Sequence, residues 1–192
     1  MPTLFHLQTP RLLLRQWQDD DLPAFAELNG DAEVMTYFPQ PLSQQQSDET
    51  AEKLRNHISE HGWGVWAVEL LDNKEFVGAI GLFPNAITPR GEAVEIAWRL
   101  RRQFWGHGYA TEGAKAALLF AFEVLNLNAI IALTASINKP SRKVMERLGM
   151  TNCEENFQHP EVAAESPLCE HVLYEIQAQN YESDIPVELH TS

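Results

Sequence analysis

The stretch of sequence that decides the fold is Glu95-Ile-Ala-Trp-Arg-Leu-Arg-Arg-Gln-Phe-Trp-Gly-His-Gly-Tyr-Ala-Thr-Glu, residues 95–112. It predicts a strand, then a short linker with Gly106 and Gly108, then an alanine-rich helix over residues 108–125. The start of a helix presents unpaired N–H groups and a partial positive charge, and glycine lets an anion approach the backbone closely. This stretch therefore suits a pyrophosphate, with a plain glycine turn as the alternative.

Two common phosphate-binding motifs do not fit this stretch. The dinucleotide fingerprint requires glycine or alanine three residues after its second glycine, where this chain has Thr111. The P-loop requires Gly-Lys-Ser or Gly-Lys-Thr, and the sequence contains neither. Both motifs are therefore excluded.

Working outward, apolar periodicity and turn residues predict an α/β (α+β) fold with a mixed, mostly antiparallel central sheet flanked by helices. Residues 34–39 are expected to form a loop or short helical turn, and residues 85–91 a longer turn. We expect one domain over residues 1–178 and a loosely held polar tail over residues 179–192. The predicted strands cover residues 9–17, 63–71, 76–83, 93–100, 129–136, 150–157 and 169–177, and the predicted helices cover residues 19–30, 43–61, 108–125 and 138–148.

The composition is that of an ordinary globular chain. Of the 192 residues, 44% are hydrophobic and 21% are charged, which is enough for a core without disulfides or metals. The formal net charge of −13 argues against nucleic-acid binding and against an anionic membrane surface. It would attract a cationic substrate or partner, although acidity also serves solubility.

Other features of the chain predict a cytoplasmic protein. No apolar run approaches the roughly 20 residues that span a bilayer, and the first residues lack the pattern of a signal peptide. Cys153 and Cys169 are expected to be buried, reduced thiols. The seven histidines are scattered along the chain, so we expect no metal site.

The motifs resemble the GNAT superfamily of N-acetyltransferases. Its coenzyme A loop, Gln/Arg-x-x-Gly-x-Gly/Ala, matches Gln103-Phe-Trp-Gly106-His-Gly108. Trp-Gly-x-Gly-Tyr-Ala-Thr-Glu at residues 105–112 and Thr-Pro-Arg-Leu-Leu-Leu-Arg at residues 9–15 resemble its branch of ribosomal-protein N-terminal (RimJ/RimL-like) acetyltransferases. The resemblance extends over residues 9–177.

This resemblance implies acetyl-CoA as cosubstrate and a V-shaped cleft between the two central strands. The pantetheine arm would pair with residues 97–100, and backbone amides of residues 103–110 would hold the pyrophosphate. Arg101 and Arg102 either meet phosphates or are solvated turn residues. The implied cosubstrate-binding residues are Ala97, Trp98, Arg99, Leu100, Gln103, Gly106, His107, Gly108, Tyr109, Ala110, Asn138 and Ser141.

Acetyl transfer to an amine needs a base, because amines are mostly protonated at neutral pH. Glu95 is the candidate, with Glu92 at the strand entrance as the reserve. Glu95 as a structural partner of an arginine or a backbone amide is an equal alternative. The oxyanion would be met by a backbone N–H near Ala97 or Trp98.

The leaving thiolate needs an acid. Many GNAT enzymes resemble one another in a tyrosine where this chain has Met145. The ribosomal-type branch shows Asn-x-x-Ser instead, and the match is Asn138-Lys-Pro-Ser141. By this resemblance Ser141 would hydrogen-bond the thiol and Asn138 would contact the pantetheine. Asn138 can also cap the helix, and Ser141 can be an ordinary first-turn residue.

The function predicted from these residues is direct acetyl transfer from acetyl-CoA to a primary amine in a ternary complex, by a monomer or homodimer. The alternatives are a non-catalytic coenzyme A sensor or assembly module, and an acyltransferase with a different acceptor. The amine is open, and a ribosomal-protein N-terminus is one possibility. Large aromatic residues either wall the acceptor pocket or belong to the core: Tyr37, Phe38, Trp63 and Trp66.

Overall fold

The computed structural model describes residues 2–192, and its strands form one ten-stranded sheet. In the strand over Leu12–Arg15, Leu12 and Leu14 are buried and Leu13 between them is only partly buried, as the pleat of a strand requires, and Arg15 is buried as well. The strands are β1 (Phe5–Gln8), β2 (Leu12–Arg15), β3 (Val65–Leu70), β4 (Phe76–Thr88), β5 (Gly91–Leu100), β6 (Ala129–Ala135), β7 (Thr151–Asn152), β8 (Phe157–Gln158), β9 (Glu170–Gln177) and β10 (Glu188–Thr191).

The second helix begins and ends at the capping residues that the sequence offers. Ser43 accepts a hydrogen bond from the Gln46 amide at the start of the second helix, and Gly62 ends it in the left-handed conformation. A 3₁₀ turn over Val34–Tyr37 confirms the short helical turn. The helices are α1 (Leu22–Gly30), α2 (Gln44–His61), α3 (Tyr109–Leu119), which continues as a π turn over Phe120–Val124, and α4 (Lys139–Arg147).

The sheet opens between its central strands. Its order is β10-β1-β2-β3-β4-β5-β6-β9-β7, with β8 paired to β9. β5 pairs with β4 without interruption from Leu100 to Ala93. The parallel contact of β5 with β6, in contrast, is a single pair, Glu95 with Ile131. The two strands therefore diverge beyond Glu95, which confirms the mixed, mostly antiparallel sheet and its V-shaped cleft.

Helices cover both faces of the sheet. α3 lies so close to one face that a Cβ atom on Gly113 would be 2.5 Å from the Cδ1 atom of Ile80. Ile80 pairs with Trp98 on that face, whereas Ala79 pairs with Arg99 on the other. α1 and α2 lie on this second face, since Arg99 donates to Asn29 of α1 and Asn29 donates to Ser47 of α2. The cleft therefore has an α3 side and an α1–α2 side.

Three predicted segments differ from the structure. The expected strand over residues 150–157 is reduced to β7 and β8, two residues each, which pair separately with β9. The expected strand over residues 9–17 is confirmed only as β2, Leu12–Arg15, because Pro10 has no N–H for a ladder and the Thr9 amide donates to the Leu12 carbonyl to close a turn. That turn joins β2 to β1 in a hairpin. The expected turn over residues 85–91 is mostly strand. There β4 and β5 continue to a Thr88–Gly91 pair, with the register shifted after Asn85.

The tail is the largest difference. Residues 179–192 were expected to be loosely held, but β10 pairs antiparallel with all of β1. The Tyr181 hydroxyl also donates to the Lys115 carbonyl at 2.7 Å. Both contacts join segments far apart in sequence, so local polarity could not reveal them. The division into a domain over residues 1–178 and a tail stays a prediction.

Further features concern the chain as a whole. Within residues 2–192, none of the helices has the length and apolar character that crossing a bilayer requires. Cys153 and Cys169 are not bonded to each other. Cys169 is buried, as expected, whereas Cys153 is only half-buried.

Candidate active site

Glu95 lies at the point where β5 and β6 separate. Only 5% of its surface is exposed, and the Asn85 side-chain amide donates to its Oε2 atom at 2.5 Å. Burial raises the pKa of Glu95 to about 7, against the opposing effect of hydrogen bonds from Asn85 and the Leu133 backbone. The carboxyl group can therefore exchange a proton near neutral pH, which suits a general base.

The reserve candidate lies elsewhere. Glu92 is exposed near the start of β5, three residues before Glu95 and close to the hairpin turn. The structure therefore brings only Glu95 to the fork of the cleft.

Beyond Glu95, the edge of β5 that faces β6 pairs with no strand within residues 2–192. Ala97, Trp98 and Arg99 are partly exposed there, and Leu100 is buried. This is the free backbone edge to which an extended arm can add. Three of the four predicted pantetheine contacts on β5 are therefore accessible, and the role of all four stays a prediction.

The glycine loop presents a run of free amides. In the part of the chain that the structure describes, the amides of residues 106–111 donate no hydrogen bond, whereas those of Phe104 and Trp105 close a turn. Gly106 and Gly108 have φ angles of +79° and +82°, a region that favours glycine. The free amides at the start of α3 form a site for an anion.

A buried carboxylate holds this loop in place. Glu112, in the first turn of α3, accepts a hydrogen bond from the Thr9 hydroxyl at 2.7 Å and one from the Arg11 Nε atom at 2.6 Å. Arg11 also donates to the carbonyl of His107 at 3.0 Å. Its guanidinium group lies 4.5 Å from the ring centre of Tyr109. Arg11 therefore joins the start of the chain to the glycine loop at His107 and to the first turn of α3.

Sequence reasoning missed this role of Glu112. Thr9, Arg11 and Glu112 all belong to the two motifs that carried the family resemblance. Their joint presence was the signal, but residues about a hundred positions apart cannot be paired from one sequence.

The polar side chains before the loop are already engaged. Arg101 and Arg102 form ion pairs, and Gln103 donates to a carboxylate at 2.7 Å. Their positions do not favour phosphate contact by these side chains, so the loop offers mainly its backbone. The partners are Glu27 and Glu75 for Arg101, Asp31 and Glu33 for Arg102, and Glu75 for Gln103.

The predicted acid, Ser141, lies in the first turn of α4. Asn138 caps the helix, since its Oδ1 atom accepts from the Ser141 amide at 3.2 Å and its Nδ2 atom donates to the Thr134 hydroxyl at 2.9 Å. The Ser141 hydroxyl is partly exposed and has no hydrogen bond to residues 2–192. It is therefore available to a ligand, whereas Met145 is buried.

The four aromatic candidates for the acceptor pocket lie in different parts of the structure. Trp66 is fully buried, and its pairing with Ile80 places it on the α3 side, so it is a core residue. Trp63 is half-buried and packs edge-on against His57. Tyr37 and Phe38 are half-buried near the end of α1, and Phe38 lies under Arg99.

The expectation that the histidines are scattered is wrong for one pair. His57 and His61 are four residues apart on α2 and stack at 4.3 Å, a pair that the view of scattered histidines overlooked. Within residues 2–192, no three histidine, cysteine or acidic side chains are grouped to hold a metal ion.

Comparison with known proteins agrees with this geometry. Residues 11–151 match the model of the Acetyltransferase (GNAT) domain family. The chain is a GNAT acetyltransferase. It is 34% identical over 159 residues to the FsC-acetyl coenzyme A-N(2)-transacetylase of Aspergillus fumigatus, covering 79% of this chain and 67% of that protein. The resemblance inferred from the loop is thereby confirmed, and acetyl-CoA is the cosubstrate of this N-acetyltransferase.

Solved structures share the fold. A GNAT-family acetyltransferase from Bacillus anthracis superposes with a TM-score of 0.76 at 26% identity, covering 91% of this chain and 99% of that one. RimL, a ribosomal L7/L12 α-N-protein acetyltransferase solved with coenzyme A, gives 0.69 at 19% identity, covering 88% and 95%. The RimL likeness shows a shared GNAT fold alone.

Proposed function

We propose that this protein transfers the acetyl group of acetyl-CoA directly to a primary amine, on a protein N-terminus or a small molecule. Glu95 is the base and Ser141 the acid. The observation that carries the proposal is the buried carboxyl group of Glu95, with a pKa of about 7, at the fork between β5 and β6.

The residues present fit the cosubstrate. The free amides of residues 106–111 suit the pyrophosphate, and the open edge of residues 97–100 suits the pantetheine arm. A Cβ atom on Gly106 would meet no protein atom within 4 Å, so the loop is open to a ligand. Acetyl-CoA supplies the acetyl group as an activated thioester.

Glu95 makes the amine reactive. A lysine amine, with a pKa of about 10.4, or an α-amine, near 8, is mostly protonated at neutral pH. Ionised Glu95 accepts that proton directly or through a water molecule, and later releases it to solvent. A backbone N–H near Ala97 or Trp98 donates to the acyl oxygen as negative charge develops on it.

Ser141 serves the departing sulfur. The amine nitrogen bonds to the acyl carbon as the carbon–sulfur bond breaks, so the thiolate needs a proton. The hydroxyl group of Ser141 supplies it and is reprotonated from water. Asn138 fixes the first turn of α4 through its cap, and we expect it to contact the pantetheine as well.

The test is thiol release with a panel of primary amines between pH 5.5 and 9, for the wild type, Glu95→Gln and Glu92→Gln. Wild-type kcat/KM should rise with pH and level off above an apparent pKa near 7, because Glu95 must lose its proton. Glu95→Gln should lower kcat by about 10²–10⁴-fold, and Glu92→Gln should not.

Full activity of Glu95→Gln across this pH range would remove the assignment of the base. Binding of acetyl-CoA without thiol release for any amine would point instead to a coenzyme A-binding module without turnover.

A further inference from the structure

Arg99 lies on the same face of β5 as Glu95. Arg99 pairs with Ala79 and Glu95 with Phe83, so both side chains leave the sheet on the α1–α2 side. At about 3.3 Å per residue, their Cα atoms lie about 13 Å apart along the strand. Both residues therefore border the same side of the cleft, opposite α3.

Neutral groups hold the Arg99 guanidinium. Its Nη1 atom donates to the Asn29 side-chain oxygen at 2.6 Å, and Asn29 is itself fully buried and donates to the Ser47 hydroxyl at 2.9 Å. The guanidinium lies 4.1 Å from the ring centre of Phe38. The planar group is thus oriented by a hydrogen bond and by an aromatic face.

Arg99 is a cation without a counter-ion. Within residues 2–192, none of the ion pairs closer than 4 Å involves Arg99, although the chain carries a net charge of −13. Its Nε atom is buried without a hydrogen-bond partner. Burial lowers the pKa of Arg99 to about 10, so the group is still charged at neutral pH. Its neighbours Arg101 and Arg102 both pair with carboxylates.

A buried guanidinium that lacks an anion is costly unless a ligand supplies one. The free amides of residues 106–111 lie at the start of α3, whereas Arg99 points to the α1–α2 side. The anion that suits Arg99 is therefore separate from the phosphates that suit the loop.

We infer that Arg99 binds a carboxylate of the acceptor, so that the substrate is a small amine that also carries a carboxylate, as amino acids do. The inference rests on the proposed function, which places the amine near Glu95 on this side of the cleft. A planar guanidinium matches a carboxylate with two parallel hydrogen bonds. A polyamine, in contrast, would meet a fixed positive charge.

The test compares amines with and without the carboxylate. Amino acids and ω-amino acids are paired with their carboxamides, and kcat and KM are measured for the wild type, Arg99→Gln and Arg99→Lys. Arg90→Gln is the matched control, because it removes the same charge at the distant β4–β5 turn, where Arg90 is exposed and pairs with Glu155 and Glu175.

The wild type should favour the carboxylates. Arg99→Gln should raise their KM by about 10- to 100-fold, from the loss of a charge-assisted hydrogen bond. The carboxamides and the KM of acetyl-CoA should change less than about twofold. Arg99→Lys should restore part of the preference, and Arg90→Gln should match the wild type.

Three outcomes would overturn the inference. The first is a wild type that prefers the carboxamides, and the second is an Arg99→Gln variant whose kcat/KM falls equally for carboxylates and carboxamides. The third is a rise in the KM of acetyl-CoA alone, which would assign the anion to coenzyme A. Calorimetric binding of N-acetylated amino acids tests the inference without turnover. Binding of these compounds by the wild type but not by Arg99→Gln supports the inference even if no amine causes thiol release. The absence of thiol release would refute only the proposed function.

Discussion

Replacing Glu95 with glutamine should stabilise the fold at alkaline pH. The native pKa of about 7 lies above the ordinary 4.5, so the protonated form is favoured in the folded protein. The stability that this provides is fully present below pH 4.5 and is lost as the pH rises through 7. Glutamine has the same shape and no charge, and it removes the cost of ionisation.

The magnitude follows from the size of the shift. One pKa unit corresponds to about 1.4 kcal/mol, so ionised Glu95 costs the native state about 3 kcal/mol well above pH 7. The carboxylate accepts hydrogen bonds from Asn85 and the Leu133 backbone, and glutamine gives up one of them, worth about 1 kcal/mol. The variant should match the wild type near pH 5.5 and exceed it by about 2 kcal/mol at pH 8.5.

Urea unfolding followed by tryptophan fluorescence at these two pH values measures the difference. Glu92→Gln is the control, because Glu92 is exposed in the same strand and its replacement should change stability equally at both pH values. A Glu95→Gln difference that does not depend on pH would refute the reasoning. So would an equal pH dependence in the control.

Two further predictions concern the loop and α4. Glu112→Gln should weaken acetyl-CoA binding by about tenfold in calorimetry, because it breaks the ion pair with Arg11. Glu123→Gln is the control, an exposed residue on the π turn that continues α3, and it should bind acetyl-CoA as the wild type does. Equal affinities of the two variants would argue against Glu112 as the anchor of the loop. Ser141→Ala should lower kcat by at least about 10²-fold with an unchanged KM for acetyl-CoA. An unchanged kcat would show that Ser141 is an ordinary first-turn residue.

Much of the fold could be predicted because its signals are local. Ser43 and Gly62 mark the ends of α2 through their own side chain and backbone. The glycines before α3 mark the loop in the same way. Prediction failed where pairing between distant segments determines the secondary structure. Every residue of β10 is exposed, and β10 is a strand because it pairs with the edge of β1.

The same distinction between local and long-range signals applies to the candidate site. Glu95 could be predicted from its place in the strand before the loop, but its burial and its contact with Asn85 depend on the register of β4 and β5. The Glu112 anchor and the neutral surroundings of Arg99 arise from segments far apart in sequence. Neither leaves a local pattern that one sequence can show.

The central claim is that the glycine loop binds acetyl-CoA, and a thermal melt with and without excess ligand tests it most directly. At about 100 times Kd the ligand adds about 2.7 kcal/mol, or about 5 to 10 °C for a chain of this size. Gly106→Ala and Gly91→Ala form a matched pair, since both glycines have φ near +80° and open space at Cβ. NADH and ATP serve as ligand controls.

The account predicts a shift of that size with acetyl-CoA alone for the wild type and Gly91→Ala, and most of it lost in Gly106→Ala. An absent wild-type shift at millimolar acetyl-CoA, or equal shifts in the two alanine variants, would contradict it.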